Sequence, residues 1–165
     1  MKWLDGCLTS LLSQELPQSI ELEIVVVDNG SSDQSIDLIM NNYPSVMVHA
    51  LDTNAGFAVG CNVGVERSHG DLILLLNNDT ITPKGMIKCL LDEFNTRGLD
   101  VVAAIEVPYS GGAPRLTRTT IDVTGFPVYL YIDEKHSDEP SFFLNGVCVL
   151  TSSIIRSYWP RPSRR

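Results

Sequence analysis

Polar residues that could bind a ligand follow several apolar, strand-like segments of the sequence. The segment "DNGSSD" starts at Asp28 and the segment "NNDT" starts at Asn77, each directly after an apolar run. A weaker pair, Asn145 and Gly146, lies inside the strand-like residues 142–150. Carboxylates and amides hydrogen-bond polar ligands, and carboxylates also hold divalent cations. Because open α/β sheets bind ligands at the carboxyl ends of their strands, these segments predict one site at one edge of a sheet.

A fourth segment, "TNAGFAVGCNVG", opens a helix after a further strand and is rich in small residues. Its glycines, Gly56, Gly60 and Gly64, are four residues apart, so the dinucleotide-binding pattern GxGxxG is absent. A P-loop is excluded as well, because no GK[ST] follows. Close packing through a small-residue helix face is the structural interpretation of this segment, and approach of its backbone to a ligand is the functional one.

The elements that must position these residues alternate along the chain. The spacing of apolar residues predicts helices over residues 3–12, 33–43, 56–68 and 83–94, with Asp33 as the N-cap of the second. It predicts strands over residues 23–27, 46–50, 71–76 and 101–107. Such alternation is typical of a mostly parallel sheet covered by helices on both faces. After Pro108 the sequence is rich in loop residues, and strands are predicted only over 127–132 and 142–150.

Composition limits the classes of protein that this chain can belong to. Its 165 residues, of which 44% are hydrophobic, suffice for the core of one domain. The formal net charge of -8 argues against a nucleic-acid partner, because nucleic-acid-binding proteins present basic faces. No apolar run approaches the roughly 20 residues that span a bilayer. The four cysteines form no CxxC pair and are interpreted as free thiols in a reducing cytoplasm.

Taken together, three motifs resemble those of family 2 glycosyltransferases, most of all the branch that contains rhamnosyltransferases. They are "VVVDNGSSD" (25–33), "NAGFAVGCNVG" (54–64) and "GDLILLLNNDT" (70–80), and they occur in the family's order and spacing. The resemblance runs from about residue 4 to residue 150. It implies an α/β GT-A (Rossmann-like) three-layer sandwich with a mostly parallel central sheet, here incomplete. Residues 1–165 would form a single partial domain, with a nucleotide-binding half over 1–107 and a partial acceptor-side half over 108–165.

For the first motif, the resemblance implies that the Asp28 carboxylate accepts the imide N–H of uracil or thymine. Asn29 and Ser31 would supply further polar contacts near the nucleoside. Cytosine presents an acceptor where uracil presents this donor, and a buried unmatched polar edge is costly, so the wrong base would be rejected. The structural alternative is that Asp28 only caps the turn that follows, as Asx residues commonly do.

For the third motif, "NND" occupies the place of the family's DxD motif, and the resemblance implies that its last residue, Asp79, binds Mg²⁺ or Mn²⁺. The cation would neutralise the leaving diphosphate. Asn77 departs from the family's aspartate and would hydrogen-bond ribose or orient water, and Asn78 is assigned to the nucleotide site with it. The structural alternative is an acidic turn that leads to the next helix.

The resemblance also assigns roles in the remaining segments. Asn54 would lie at the nucleotide, Gly56 would let the backbone approach it, and Asn62 would contact it, although packing explains Asn62 equally well. Asn145 and Gly146 would lie beside the donor sugar, where Gly146 leaves room for the ring or merely marks a bulge.

The implied function is inverting, metal-dependent transfer of a sugar from a UDP- or dTDP-sugar to a glycan or lipid-linked acceptor. The implied setting is the cytoplasm or the inner face of the cell membrane, with peripheral membrane association. Family members carry a catalytic base in an "ED" segment beyond the last strand, whereas this sequence has no carboxylate after Glu139. The opening strand expected before Trp3 is missing too, so the sequence is interpreted as truncated at both ends. A non-catalytic nucleotide-sugar-binding fragment is the alternative. A nucleotidyltransferase is disfavoured, because no glycine-rich loop with Arg and Lys is present.

Overall fold

The computed structural model describes residues 2–98, 101–104, 109–110, 117–121, 127–131 and 148–152. These residues form helices and strands in the order α1 (Lys2–Leu12), β1 (Val25–Asp28), α2 (Ser35–Asn42), β2 (Met47–Ala50), α3 (Phe57–Arg67), β3 (Leu72–Leu76), α4 (Met86–Arg97), β4 (Val101–Ala103), β5 (Thr117–Ile121), β6 (Pro127–Tyr131) and β7 (Cys148–Ser152). The predicted alternation of helix and strand through β4 is confirmed.

The strands combine parallel and antiparallel pairing. β1 and β2 are parallel, with Val25 opposite Met47. β7 lies between β3 and β4 and is antiparallel to both, so β3 and β4 run in the same direction. β5 and β6 form a separate antiparallel pair. The antiparallel β7 departs from the mostly parallel sheet that the alternating pattern predicts.

Some predicted details are wrong. The N-cap of α2 is Gln34 rather than Asp33, and the Asp33 carboxylate instead accepts a hydrogen bond from the Ser35 N–H at 3.0 Å. The apolar residues at positions 36, 39, 40 and 43 predict one buried stripe on α2. Met40 is nevertheless 69% exposed, because the buried face runs through Ile39 and Tyr43.

The region after Pro108 differs from the prediction in one strand. The sequence analysis predicts loop for β5, "TRTTI", because this segment has no apolar run, but its β-branched threonines favour a strand. Of the predicted strand 142–150, the part from Cys148 onward is confirmed within β7. Its earlier part, with Asn145 and Gly146, lies outside the described residues.

Helix α1 is the centre of the core. Its buried residues Leu4 and Leu8 pack with Ile39, Tyr43 and Val46 around α2. A second cluster joins two further buried residues of α1 to α4, and its members are Cys7, Leu11, Ile87, Leu90 and Leu91. The apolar residues of α1 at the helical spacing 4, 7, 8 and 11 thus pack against both α2 and α4.

A cavity of about 850 Å³ separates β1 from β3. β1 and β3 line it along their lengths, and the helices α1, α3 and α4 contribute apolar side chains. Among the described strands, no backbone pairing joins β1 to β3. The lining residues of this inter-strand cavity include Asn29 and Asp79, which follow the carboxyl ends of β1 and β3.

Candidate nucleotide-sugar site

Asp28 closes β1 and is buried, with 8% of its surface exposed. Its Oδ2 accepts a hydrogen bond from the Ser31 N–H at 3.0 Å, and its backbone carbonyl accepts one from the Leu51 N–H at 2.8 Å. The turn contact is the one that the structural alternative predicted. Because no described hydrogen bond engages Oδ1, the capping contact leaves that oxygen as an acceptor for a ligand.

The loop after β1 is held against the loop that precedes α3. The Asn29 Oδ1 accepts a hydrogen bond from the Ala55 N–H at 2.8 Å. Gly30, in the loop after β1, has φ +77°. It lies so close to the loop before α3 that a Cβ on Gly30 would lie 2.7 Å from the Thr53 carbonyl carbon. Only glycine fits such a contact without displacing backbone. The predicted nucleotide segments around Asp28 and Asn54 therefore meet in space.

The amino end of α3 is formed by an Asx turn and a glycine N-cap. The Asn54 Oδ1 accepts a hydrogen bond from the Gly56 N–H at 2.9 Å, which forms an Asx turn. Gly56 is the N-cap, has φ +89°, and has no atom within 4 Å of where its Cβ would be. Asn62 is half-buried within α3 but is not among the residues that line the inter-strand cavity.

The segment after β3 presents its acidic residue to solvent. The Asn77 carbonyl accepts a hydrogen bond from the Thr80 Oγ1 at 2.7 Å, which tightens the turn. Asn77 is half-buried, whereas Asn78 and Asp79 are exposed. In the part of the chain that the structure describes, no hydrogen bond or ion pair engages the Asp79 carboxylate.

The sequence analysis missed two residues that anchor this segment, Ser10 of α1 and Gln14, which follows the end of α1. The Ser10 Oγ accepts a hydrogen bond from the Thr82 N–H at 3.0 Å, and both residues are buried. The Gln14 Nε2 donates to the Pro83 carbonyl at 2.9 Å, while its Oε1 accepts from the Ile87 N–H at 3.2 Å. Gln14 therefore caps α4, whose own N-cap, Gly85, has no side chain. Ser10 and Gln14 lie at helical spacing beside the apolar stripe of α1, and this pattern could have identified them from the sequence.

Cys7 also faces this segment. Its Sγ lies 3.8 Å from the Asn77 carbonyl oxygen. Burial raises the pKa of the Cys7 thiol, contact with Thr80 opposes this rise, and the negative charge of Asp79 adds to it. A thiol held in its neutral form acts as a small packing group rather than as a nucleophile.

Several predicted site residues line the inter-strand cavity. Asn29, Asn77, Asn78 and Asp79 line it, together with Gly60. No group of three or more His, Cys, Asp or Glu residues among the described residues forms a preassembled metal site. A single exposed carboxylate instead fits a Mg²⁺ or Mn²⁺ ion that shares its remaining ligands with a diphosphate and water.

A family model described as "Glycosyl transferase family 2" matches residues 1–156. The chain belongs to this family. The family resemblance found in the three motifs is thereby confirmed, as is the GT-A fold class, since the structural neighbours share that fold.

Characterised relatives include three bacterial transferases. Poly(ribitol-phosphate) β-N-acetylglucosaminyltransferase TarS of Staphylococcus aureus is 31% identical over 157 residues, which cover 86% of this chain and 27% of TarS. Glycosyltransferase GlyG of Streptococcus pneumoniae is 30% identical over 61% of this chain and 34% of its own. Undecaprenyl-phosphate 4-deoxy-4-formamido-L-arabinose transferase of Pseudomonas aeruginosa is 31% identical over 67% and 35%. The chain thus spans about a third of the length of these relatives.

Two solved structures share the fold. The crystal structure of S. aureus TarS 1–349 in complex with UDP superposes with a TM-score of 0.68 at 20% identity, over 95% of this chain and 45% of that one. The mannosyltransferase PcManGT of Pyrobaculum calidifontis, in complex with GDP-Man and Mn²⁺, gives a TM-score of 0.55 at 17% identity over 64% and 32%. None of the described helices has the length and apolarity to cross a membrane.

Proposed function

We propose that this chain binds a UDP- or dTDP-sugar together with Mg²⁺ or Mn²⁺, and that the protein transfers the sugar to a glycan or lipid-linked acceptor with inversion. One observation carries the proposal: a buried carboxylate, Asp28, and an exposed one, Asp79, follow two strands that end at the same edge of the fold. The buried carboxylate suits recognition of a base, and the exposed one suits a cation and a diphosphate.

Different residues at this edge bind different parts of the ligand. Asp28 Oδ1 accepts the imide N–H of the base, while Oδ2 stays with the Ser31 N–H and holds the carboxylate in place. The loop around Asn54 and Gly56 brings backbone N–H groups toward the nucleotide, where the amino end of α3 favours negative charge. Asp79 would hold the cation, which when bound neutralises charge on the diphosphate.

In the proposed reaction an acceptor hydroxyl oxygen attacks the anomeric carbon and forms the new glycosidic bond. The bond from that carbon to the diphosphate oxygen breaks, and the diphosphate leaves with the electron pair. The hydroxyl proton passes to a general base, a role that we assign to no described residue. Attack from the side opposite the leaving group gives inversion.

The relatives support this choice of ligands. TarS has been crystallised with UDP, and PcManGT with GDP-Man and Mn²⁺. TarS acts on poly(ribitol-phosphate), and the P. aeruginosa relative is named for an undecaprenyl-phosphate substrate. By analogy we propose a polymeric or lipid-linked acceptor, and a cytoplasmic protein that associates peripherally with the membrane.

The proposal is tested by calorimetry of the purified chain with UDP, dTDP, CDP and GDP, each with and without Mn²⁺. We expect UDP or dTDP to bind more tightly than CDP and GDP, and only in the presence of the cation. Equal binding of all four nucleotides, or binding that ignores Mn²⁺, would contradict the proposal. Release of UDP from UDP-sugars, with and without glycan acceptors, then separates a transferase from a chain that binds the donor without turnover.

A further inference from the structure

One face of α1 contacts both ends of the Asp79 segment (residues 77–82). The Cys7 Sγ lies 3.8 Å from the Asn77 carbonyl oxygen at the start of this segment. At its end, the Ser10 Oγ accepts a hydrogen bond from the Thr82 N–H at 3.0 Å. Positions 7 and 10 are three residues apart, so they lie on one face of the helix. The Asp79 segment is therefore held at both ends by the same face of α1.

Every hydrogen-bonding position of the Ser10 hydroxyl is used. A hydroxyl has one donor position and two acceptor positions. The Ser10 hydroxyl donates to the Cys7 carbonyl at 2.8 Å, and it accepts from the Thr82 N–H at 3.0 Å and from the Thr82 Oγ1 at 2.9 Å. Because the Thr82 hydroxyl donates its hydrogen to Ser10, its oxygen accepts from the Gln14 Nε2 at 3.2 Å. The hydrogen bonds of this network thus have one consistent direction.

The two hydroxyl groups of the network are buried with their residues, so water cannot readily replace a hydrogen bond that either Ser10 or Thr82 loses. A buried polar group without a partner costs free energy, and a fully satisfied network therefore selects one arrangement of the chain. Toward the start of the segment, the Thr80 Oγ1 donates to the Asn77 carbonyl at 2.7 Å. The backbone that carries Asp79 is thus fixed on both sides of that residue.

The Asp79 carboxylate itself has no such support. In the part of the chain that the structure describes, no hydrogen bond or ion pair engages it, and no group of three or more His, Cys, Asp or Glu residues could hold a metal ion. Several protein ligands of one cation constrain one another, whereas the position of a single carboxylate depends on the backbone that carries it. Contacts behind a metal ligand are known to change metal affinity by about 10–100-fold.

We propose that Ser10 and Thr82 are positioning residues of the metal site, because their hydroxyl pair holds the Asp79 segment in the arrangement that binds the cation. This inference rests on the proposed function, which assigns the cation to Asp79. Neither hydroxyl touches the cation, and both act through the short stretch of backbone that joins Thr82 to Asp79. When the network is broken, the segment takes several arrangements, and the apparent affinity falls with the fraction of chains that are competent to bind.

Two substitutions in the full chain break the network. Ser10→Ala removes the acceptor of both hydrogen bonds from Thr82 and introduces a residue that favours helix. Thr82→Val removes the other hydroxyl and keeps the shape of the side chain, whereas Thr82→Ser keeps the hydroxyl. The matched control is Thr9→Ala, which removes from the same helix a hydroxyl that is hydrogen-bonded to the Tyr43 Oη at 2.9 Å. Calorimetry with UDP in the presence and absence of Mn²⁺, thermal unfolding and amide hydrogen exchange are measured on every variant.

We expect Ser10→Ala to weaken Mn²⁺-dependent binding of UDP by about 10–100-fold. Thr82→Val should weaken it less, because the Ser10 oxygen still accepts from the N–H of residue 82, and Thr82→Ser should stay within about twofold of the unsubstituted chain. In Ser10→Ala the amides of residues 77–82 should exchange more than about tenfold faster. Thr9→Ala should lower the Tm but leave the affinity and the exchange of residues 77–82 unchanged, since its hydroxyl contacts α2.

A role in stability alone would give a different result. Ser10→Ala and Thr9→Ala would then both lower the Tm, and both would keep the Mn²⁺-dependent affinity, which would overturn the proposal. So would a Thr82→Ser chain that loses as much affinity as Thr82→Val, because the hydroxyl would then be irrelevant. If Ser10→Ala does not fold, the comparison of Thr82→Val with Thr82→Ser decides in the same way.

Hydrogen exchange separates this proposal from the proposed function. An unsubstituted chain that binds no UDP with Mn²⁺ contradicts the function. Faster exchange of residues 77–82 in Ser10→Ala would still show that the hydroxyl pair holds the segment, and unchanged exchange would show that it does not. If UDP binds with Mn²⁺ and Ser10→Ala changes neither the exchange nor the affinity, only the positioning role is contradicted.

Discussion

At the residue scale, the two acidic residues of the site differ in burial, and burial decides what each can do. Asp28 is buried with one oxygen engaged by the Ser31 N–H, so its carboxylate has a fixed orientation. A fixed acceptor can discriminate between ligands that present a donor and those that present an acceptor. Asp79 is exposed and can reorient toward a cation. In the proposed function, Asp28 therefore selects the base at the end of β1, and Asp79 binds the cation after the end of β3.

Substitution of Asp79 by Ala should abolish Mn²⁺-dependent binding of UDP, because neither Asn77 nor Asn78 can replace the lost negative charge. Any binding that does not depend on Mn²⁺ should not change. Calorimetry with and without Mn²⁺ measures the affinity for UDP under both conditions. The matched control is Asp37→Ala, which removes an exposed carboxylate from α2 and should leave the Mn²⁺-dependent affinity as it was. An Asp79→Ala chain with full Mn²⁺-dependent affinity would remove Asp79 from the metal site.

Substitution of Asp28 by Asn should weaken uridine or thymidine binding and reduce discrimination against cytidine. The amide oxygen can still accept from the Ser31 N–H, so the turn is kept. Its NH₂ group then meets the imide N–H of the base, and this mismatch costs on the order of 1–3 kcal/mol. Competition of UDP against CDP measures the ratio of affinities. If the unsubstituted chain binds CDP as tightly as UDP, Asp28 does not select the base.

At the element scale, α1 supports the fold and also positions the segment that carries Asp79. Its apolar residues join the two core clusters, and Ser10 and Gln14 hold the chain at Thr82 and Pro83. Buried polar contacts of this kind select one arrangement of a loop, since each broken hydrogen bond leaves a polar group unsatisfied. The position of Asp79 therefore depends on a helix far from it in sequence.

Substitution of Gln14 by Leu should lower the free energy of unfolding by about 1–3 kcal/mol, because the Pro83 carbonyl and the Ile87 N–H lose their partner. Chemical denaturation measures the loss. Gln18→Leu, the same change at an exposed position outside α1, should have little effect. Equal losses in both variants would show that Gln14 does not cap α4.

Glu23 should give the fold a pH-dependent contribution to its stability. Desolvation raises the pKa of the Glu23 carboxyl, but hydrogen bonds from His69 and Gly70 outweigh it and bring the pKa below the ordinary value of 4.5. A carboxyl whose folded-state pKa is depressed stabilises the fold above its unfolded pKa, and this contribution is lost as the pH falls through the folded-state value. The group is exposed, so the contribution should be below about 1 kcal/mol.

Glu23→Gln should therefore reduce the difference in unfolding free energy between pH 7 and pH 3. Urea denaturation at the two pH values measures that difference. Glu21→Gln, at an exposed position two residues earlier, serves as the control and should behave like the unsubstituted chain. An unchanged pH dependence in Glu23→Gln would show that this contact does not stabilise the fold.

At the scale of the whole molecule, the described core consists of two clusters that meet at α1. This arrangement concentrates the stability of the fold in one helix, because α1 packs against both α2 and α4. Ile24, just before β1, also packs against both clusters, whereas the three valines of β1 and four of the five residues of β3 beside the inter-strand cavity are only half-buried.

Leu8→Ala should therefore destabilise the chain by about 2–5 kcal/mol, since Leu8 is 2% exposed and its removal leaves a void between α1 and α2. Thermal or chemical unfolding measures the change. Leu12→Ala is the matched control on the same helix, because Leu12 is 47% exposed and should lose less than about 1 kcal/mol. Similar losses at the two positions would contradict a core centred on the buried face of α1.

The sequence by itself determined the order of helices and strands through β4 and the family, because both depend on local patterns. Apolar spacing reports which side of a helix or strand is buried, and the motifs at Asp28, Asn54 and Asp79 stand directly after strand ends. Local patterns also predicted that these motifs meet at one edge, since parallel strands end together. The antiparallel position of β7 could not be predicted in this way, because strand pairing depends on residues far apart in sequence.

Only the tertiary structure decided how the site is held and where the sheet is open. Ser10 and Gln14 meet Thr82 and Pro83 across about 70 residues of sequence, and no local pattern encodes that contact. The same holds for Gly30. Glycine is required at this position because a loop more than 20 residues away in sequence would lie within 2.7 Å of a Cβ there. The inter-strand cavity likewise depends on how β1 and β3 lie relative to each other, and this arrangement exists only once the chain is folded.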